Sequence, residues 1–183
     1  MSGVGYSERI NDSAFKKYIR NNKQWAGIFS MILAIVVIVS FAIYGQLSDE
    51  MDNPEALYIG LIIGGMFLSI GLYKIIGIKR SKTWDGKVTK KLVHHKRKDR
   101  LYVEYMVVIT RDDTGETYEI TEVDDDTVYD YYQVGDRVRH HGGLNSYEKF
   151  DKSKDTIIFC NACASLNNIQ DDVCFRCHCP LLK

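Results

Sequence analysis

Residues 25–45 read WAGIFSMILAIVVIVSFAIYG, 21 residues without a charge. At 1.5 Å per residue a helix of that length covers about 30 Å, the hydrocarbon thickness of a bilayer. A second run, residues 57–78 (LYIGLIIGGMFLSIGLYKIIGI), is interrupted only by Lys74, whose long stem can carry its ammonium to the headgroups. Trp25, Tyr44, Tyr58 and Tyr73 fall near the run ends, where aromatic rings anchor a helix at the interface. Buried helices of a soluble core are the bland alternative, and two apolar runs of this length argue against it. A cleavable signal peptide is the other, with Ser40-Phe41-Ala42 as a loose cleavage site. The polar arm ahead of the run, and a run longer than the roughly 7–15 residues of a signal core, favour a retained anchor.

The two runs predict a membrane-spanning helical hairpin over 25–78, preceded by an arm over 1–24. Asn53-Pro54-Glu55 has the form of a cap, a proline at the first helical position and an acidic first turn. The arm carries Arg9, Lys16, Lys17, Arg20 and Lys23, and Lys79, Arg80 and Lys82 follow the second run. The connector has Asp49, Glu50, Asp52 and Glu55 and no base. By the positive-inside rule both termini are cytoplasmic, in an integral protein of the plasma membrane. Gly60-x-x-x-Gly64 and Gly65-x-x-x-Ser69 are small-residue pairs that would either join a second copy in a homo-oligomer or pack on the first helix of the same hairpin. The tethered neighbour favours packing within the hairpin.

The whole chain, 183 residues with 24 basic and 24 acidic side chains and 45% apolar content, averages two unlike parts. Past residue 80 the apolar period changes from helical to alternating. Trp84 to about His94, Arg100–Thr110, Thr117–Val123 and Arg137–His140 read as strands, and Asp112-Asp113-Thr114-Gly115 as a turn. Residues 79–144 are therefore expected to form a small all-β domain, an antiparallel sheet or barrel of SH3-like or OB-like size. Residues 145–156 read as a linker of roughly 18 Å reach, unless Tyr147 and Phe150 dock it.

Trp84-x-Gly86-x-Val88, an aromatic-rich strand and Tyr132-x-Val134-Gly135-Asp136-x-Val138 together resemble small β-domains tethered to bacterial membrane helices. The resemblance covers about residues 84–140. It implies a fold and no chemistry.

Charge is polarised along this domain. Residues 79–100 hold ten basic and two acidic residues, net +8, while residues 104–136 hold one arginine and eleven acids, net −10. Lys79, Arg80, Lys82, Lys96, Arg97 and Lys98 form a candidate polybasic collar for anionic lipid headgroups, each worth about 1 kcal/mol near a charged leaflet. A solvated hairpin tip is the bland reading of the same residues. Nucleic-acid binding through this patch is disfavoured, because the acidic stretch that follows repels phosphate. Asp124-Asp125-Asp126 fails as a calcium loop, since the required Gly and Glu positions hold Tyr129 and Gly135. His94-His95 and His140-His141 would make a metal site only on adjacent strands.

All five cysteines lie within residues 160–183, in the order Cys160-x2-Cys163-x10-Cys174-x2-Cys177 with Cys179 behind. Two such knuckles supply four thiolates in a tetrahedron, the ligand set of one structural Zn²⁺, in a ribbon over 157–183. An iron–sulfur site would take the same ligands. His178 or Cys179 could stand in for Cys177, although the matched spacing favours Cys177. A closed shell leaves no place for a catalytic water, and metal binding, about 10–16 kcal/mol in comparable peptides, would largely create so short a fold.

Counting Asn167, the spacing C-x2-C-x3-N-x6-C-x2-C resembles the RanBP2-type zinc finger. That resemblance implies ubiquitin or single-stranded RNA as ligand. The family's Trp, two residues before the first Cys, is replaced by Ile158, which removes a stacking platform, so RNA binding is not carried over. Zinc ribbons also end many bacterial membrane proteins as interaction modules. No nucleophile elbow, zincin helix, phosphate loop or dinucleotide fingerprint occurs. The expected function is a membrane-anchored adaptor, not an enzyme, presenting a β-domain and a zinc ribbon to a cytoplasmic protein partner. An enzyme or accessory subunit with a site in the β-domain is the competing class.

Overall fold

A computed structural model describes residues 3–47, 53–97 and 99–183. The chain divides into two compact units, one of residues 17–80 and one of residues 1–16 with 81–183.

Two helices make the first unit, α1 (Ser13–Leu47) and α2 (Asn53–Arg80). Both are long and apolar enough to span a membrane. Helix α1 begins twelve residues before the apolar run. The Asp12 carboxylate accepts the Ala14 N–H at 2.8 Å, a cap at the helix start that satisfies one of its free donors. Helix α2 starts at the expected Asn53-Pro54-Glu55. Gly60 and Gly64 face α1: a Cβ on Gly60 would lie 2.8 Å from the Phe41 Cβ, and one on Gly64 would lie 3.0 Å from Ile38. Small residues here let two backbones approach within one chain. The large side chains point the other way, with Ile32, Ile35, Val36 and Ile62 more than half exposed. Ser30, Ser40 and Ser69 return their hydroxyls to carbonyls of their own helices, so no polar atom of theirs needs water.

The second unit is built on strands β1 (Trp84–Arg97), β2 (Leu101–Arg111), β3 (Thr117–Val123), β4 (Arg137–His141) and β5 (Ser146–Lys149), with a short helix α3 (Thr127–Tyr131) between β3 and β4. Their order in one curled antiparallel sheet is β3-β2-β1-β4-β5. Strand β1 pairs with β2 over Gly86–Arg97 but with β4 only over Trp84–Lys87. A bulge between Val88 and Lys90 shifts the alternation and turns the strand, as an unpaired extra residue does. Gly86 is required at the crossing, because a Cβ there would sit 2.6 Å from the Thr110 carbonyl oxygen.

Trp84 centres the core. Tyr118 stacks on it at 4.7 Å, His140 at 5.0 Å, and Tyr147 meets it edge-on at 5.8 Å. Val88, Val107, Ile109, Tyr131, Tyr132 and Val138 complete the buried cluster. Val107 and Ile109 enter the core as expected, but Val108 between them is buried too, so the inside–outside alternation is lost there, and Leu101 is exposed. The β1–β2 hairpin thus outruns the core, and its end is a ribbon in solvent.

Residues 145–156, expected as a linker, contain β5 and two buried lysines. The Glu148 carboxylate accepts hydrogen bonds from the Lys152 Nζ at 2.9 Å and from the Ser7 N–H at 2.7 Å, and its other oxygen lies 2.7 Å from the His141 Nε2. The Gly5 N–H donates to the Phe150 carbonyl at 2.8 Å, and Tyr6 lies edge-on to Phe150. Residues 3–16, part of the N-terminal arm expected over 1–24, belong to this unit. A buried charge without partners is costly, and Glu148 obtains one of its partners from the far end of the chain.

Candidate metal centre

Strands β6 (Ile157–Phe159) and β7 (Leu166–Asn168) form a separate two-stranded ribbon that carries the first cysteine pair. Each pair sits in the same turn. The Ala164 N–H bonds the Cys160 carbonyl and the Cys160 N–H bonds the Ser165 carbonyl; likewise His178 bonds Cys174, and Cys174 bonds Cys179. The fourth residue after each leading cysteine is left-handed, Ala164 at φ 58° and His178 at φ 57°. The sequence therefore contains a structural repeat, in which His178 matches Ala164 and Cys179 matches Ser165.

In that repeat Cys177 takes the place that Cys163 holds in the first turn. The Sγ atoms of Cys160, Cys163, Cys174 and Cys177 all lie within 4.8 Å of one another, with Cys160–Cys177 at 3.5 Å and Cys163–Cys174 at 3.6 Å. Thiolates about 2.3 Å from a tetrahedral ion are separated by about 3.8 Å, so the four atoms can hold one metal ion. Cys179 is buried as a turn residue and His178 is exposed.

The surroundings prepare thiolates unevenly. Burial opposes ionisation of Cys174, but the Ser165 hydroxyl at 3.0 Å and the Cys177 and Arg176 amides outweigh it and bring its pKa down to about 6. Burial pushes Cys160 up to about 11 and also raises Cys177. Four thiols crowded together cannot all ionise unless a cation balances them, and binding one releases their remaining protons.

Asn167 ties the knuckles together. Its side-chain N–H donates to the Ser165 carbonyl at 2.7 Å, and its Oδ1 accepts the Phe175 N–H at 3.1 Å. Ile158, at the place of the absent Trp, is buried. The ribbon is also docked on the sheet: Asn161 donates to the Tyr147 carbonyl and to the Ser146 hydroxyl, and Phe159 meets Tyr131 edge-on at 5.1 Å. Leu181 and Leu182 are fully buried.

The other candidates are not brought together. Lys82 and the Lys96-Arg97 end of β1 are separated by the length of that strand, about 40 Å at 3.3 Å per residue. Lys96 is paired with Glu104 at 2.6 Å, and Arg97 is exposed. Lys98 and the side chains of Lys79 and Arg80 lie outside the described residues. His94 and His95 are on the exposed end of β1, whereas His140 pairs with Trp84 at its other end. His141 is held by Glu148. The Glu148 cluster was not visible as a site in the sequence, because its members come from residues 5–7 and 141–152. Compared with known proteins, the chain matches no family, no curated protein and no solved structure.

Proposed function

We propose that the chain is a two-span membrane protein whose cytoplasmic unit, an OB-like β-domain braced by a structural zinc ribbon, holds a protein partner at the membrane. The observation that carries this reading is the four-cysteine cage. Four soft thiolates at tetrahedral spacing favour zinc, and a closed shell gives the ion an architectural role. Zinc held there would fix the ribbon's two knuckles, and with them the ribbon face that Phe159 and Ala164 offer beside the sheet.

Lipid is the natural surrounding for 17–80, since α1 and α2 turn their largest apolar side chains outward. The basic residues flanking the hairpin favour both termini inside the cell. The strand order, with α3 between β3 and β4, fits a five-stranded, partly open barrel of OB type. In such barrels strands 2 and 3 offer the face used for oligonucleotides. Here that region bears Glu104, Glu119 and Glu122, which disfavours phosphate and favours a protein ligand.

The test is crosslinking capture by the full-length protein in its native membrane, beside a Cys160→Ser/Cys163→Ser variant that still reaches the membrane. A partner captured by wild type and lost by the variant supports the adaptor reading. Identical capture by both, or none, overturns it.

A further inference from the structure

We propose that the cleft between β3 and the cysteine ribbon is a peptide groove, which receives an extended basic segment of a partner protein as a strand added to β3. The inference rests on the adaptor reading and names its docking site.

The sheet has two edges, and they are treated differently. Along β5 the main chain is covered: the Gly5 N–H reaches the Phe150 carbonyl, Val4 bridges Asp151, and Asn161 caps the Tyr147 carbonyl at 3.1 Å. Along β3 it is bare. The Arg111 N–H bonds the Glu116 carbonyl, and the Asp124 N–H bonds the Val103 carbonyl. In an antiparallel ladder bonded and non-bonded pairs alternate, so Tyr118, Ile120 and Glu122 point their main chain at β2. The N–H and C=O groups of Thr117, Glu119, Thr121 and Val123 therefore face away from the sheet. Among the described residues no strand pairs with them.

Proteins usually blunt such an edge with proline, lysine, a bulge or a covering segment. Strand β3 has no proline, no lysine and no register shift, and its charged residues are Glu119 and Glu122 alone, which repel a second acidic edge and leave a basic one welcome. It borders a cavity of about 550 Å³ whose lining includes Tyr118, Ile120, Tyr132 and Phe159. A neighbouring cavity of about 340 Å³ shares Glu122, Val128, Phe159 and Ala164 with it. The bare edge thus faces a space with an apolar floor and a ribbon wall.

Charge selects the occupant. Glu119, Glu122 and Asp125 line the two cavities, and no basic residue does. An added strand would place alternate apolar side chains beside Tyr118, Ile120 and Phe159, and the intervening basic ones beside Glu119. Main-chain bonds supply affinity in this mode and side chains supply selection. A second copy pairing through its own β3 would bring carboxylates together, and a nucleic acid would bring phosphates to them.

The test measures fluorescence anisotropy of fluorescein-labelled VKVKVKVK with the full-length, zinc-loaded protein in detergent micelles. Saturable binding is expected. Alternate backbone N-methylation of the peptide, or Glu119→Lys with Glu122→Lys in the protein, should weaken it tenfold or more. Thr121→Pro removes one outward N–H and leaves the β2–β3 ladder intact; it should weaken binding severalfold with the circular dichroism unchanged. No saturable binding, binding indifferent to N-methylation or charge reversal, or equal binding of EVEVEVEV would each overturn the groove. So would light scattering that shows a dimer dissociated by Thr121→Pro, which would put a second copy on the edge. Partner capture that depends on Cys160 but is unaffected by these β3 variants would leave the adaptor reading standing and refute the groove alone.

Discussion

The helical hairpin and the cysteine ribbon solve the same problem in opposite directions. In the hairpin, Gly60 and Gly64 meet the other helix and the isoleucines turn outward; in the ribbon, Leu181 and Leu182 turn inward, although Val173 and Phe175 stay exposed. Neither arrangement is self-sufficient. On the reading proposed above, the hairpin would take its stability from lipid, because its internal contact uses its smallest residues. The ribbon would take its stability from a cation, because its strands of three residues each bury too little to offset their ordering entropy. Each half would thus draw stability from something outside the polypeptide, and removing each source is the way to break the comparison.

The largest effect is expected from Cys160→Ser. Losing one ligand removes most of a metal-binding free energy of order 10 kcal/mol. The ribbon should unfold, and the sheet should lose stability with it, because Phe159 packs in the shared core. Thermal unfolding with and without a chelator checks this: wild type in chelator should match the variant in zinc.

Next comes Glu148→Ala, which strands the Lys152 ammonium in the interior. Breaking a buried ion pair in this way costs about 3–5 kcal/mol. The same group predicts a pH response. Burial alone would raise the Glu148 pKa, but the bonds from His141, Lys152 and Ser7 outweigh it and hold it below the usual value. A depressed carboxylate stabilises the fold at pH above its unfolded value, about 4.3, and that contribution is lost as pH falls through the folded value. Acid unfolding followed by tryptophan fluorescence should therefore lose a component in Glu148→Gln. Equal acid midpoints in the two proteins would refute the role given to Glu148.

Ile35→Asp sharpens the other side of the comparison. Ile35 is 54% exposed, so in a water-soluble protein an aspartate there would be nearly neutral. In lipid it costs about 2.5–3.5 kcal/mol on insertion scales, and the variant should leave the carbonate-resistant membrane fraction. Gly64→Val should act more weakly, at about 1–3 kcal/mol, by overpacking against Ile38. Resistance of the detergent-solubilised hairpin to heat-induced aggregation reads that effect.

What was legible in the sequence follows the same division. Both helices, the β1–β3 strands and the clustering of Cys160, Cys163, Cys174 and Cys177 were readable, because each is written in local spacing: a long uncharged run, an alternation, a C-x2-C pair. The matched knuckle spacing was readable too, but the backbone roles of His178 and Cys179 were not, because they correspond to Ala164 and Ser165, residues alike in backbone role and unlike in chemistry. The role of residues 3–16 and the burial of Glu148 and Lys152 were not legible at all. They depend on contacts across some 140 positions, and no local pattern records a charged side chain's distant partner. Strand β5 was missed for a related reason, since Ser146–Lys149 reads as polar linker until His141 and Ser7 arrive to satisfy Glu148.

The central claim is that one structural zinc ion closes the four-cysteine cage of a membrane-embedded chain. Elemental analysis of the full-length protein, purified from the membrane fraction without added metal, tests it most directly. The account predicts one zinc per chain, lost in Cys163→Ser and retained in Cys179→Ser. Absence of metal, iron in place of zinc, or equal dependence on Cys179 would contradict it.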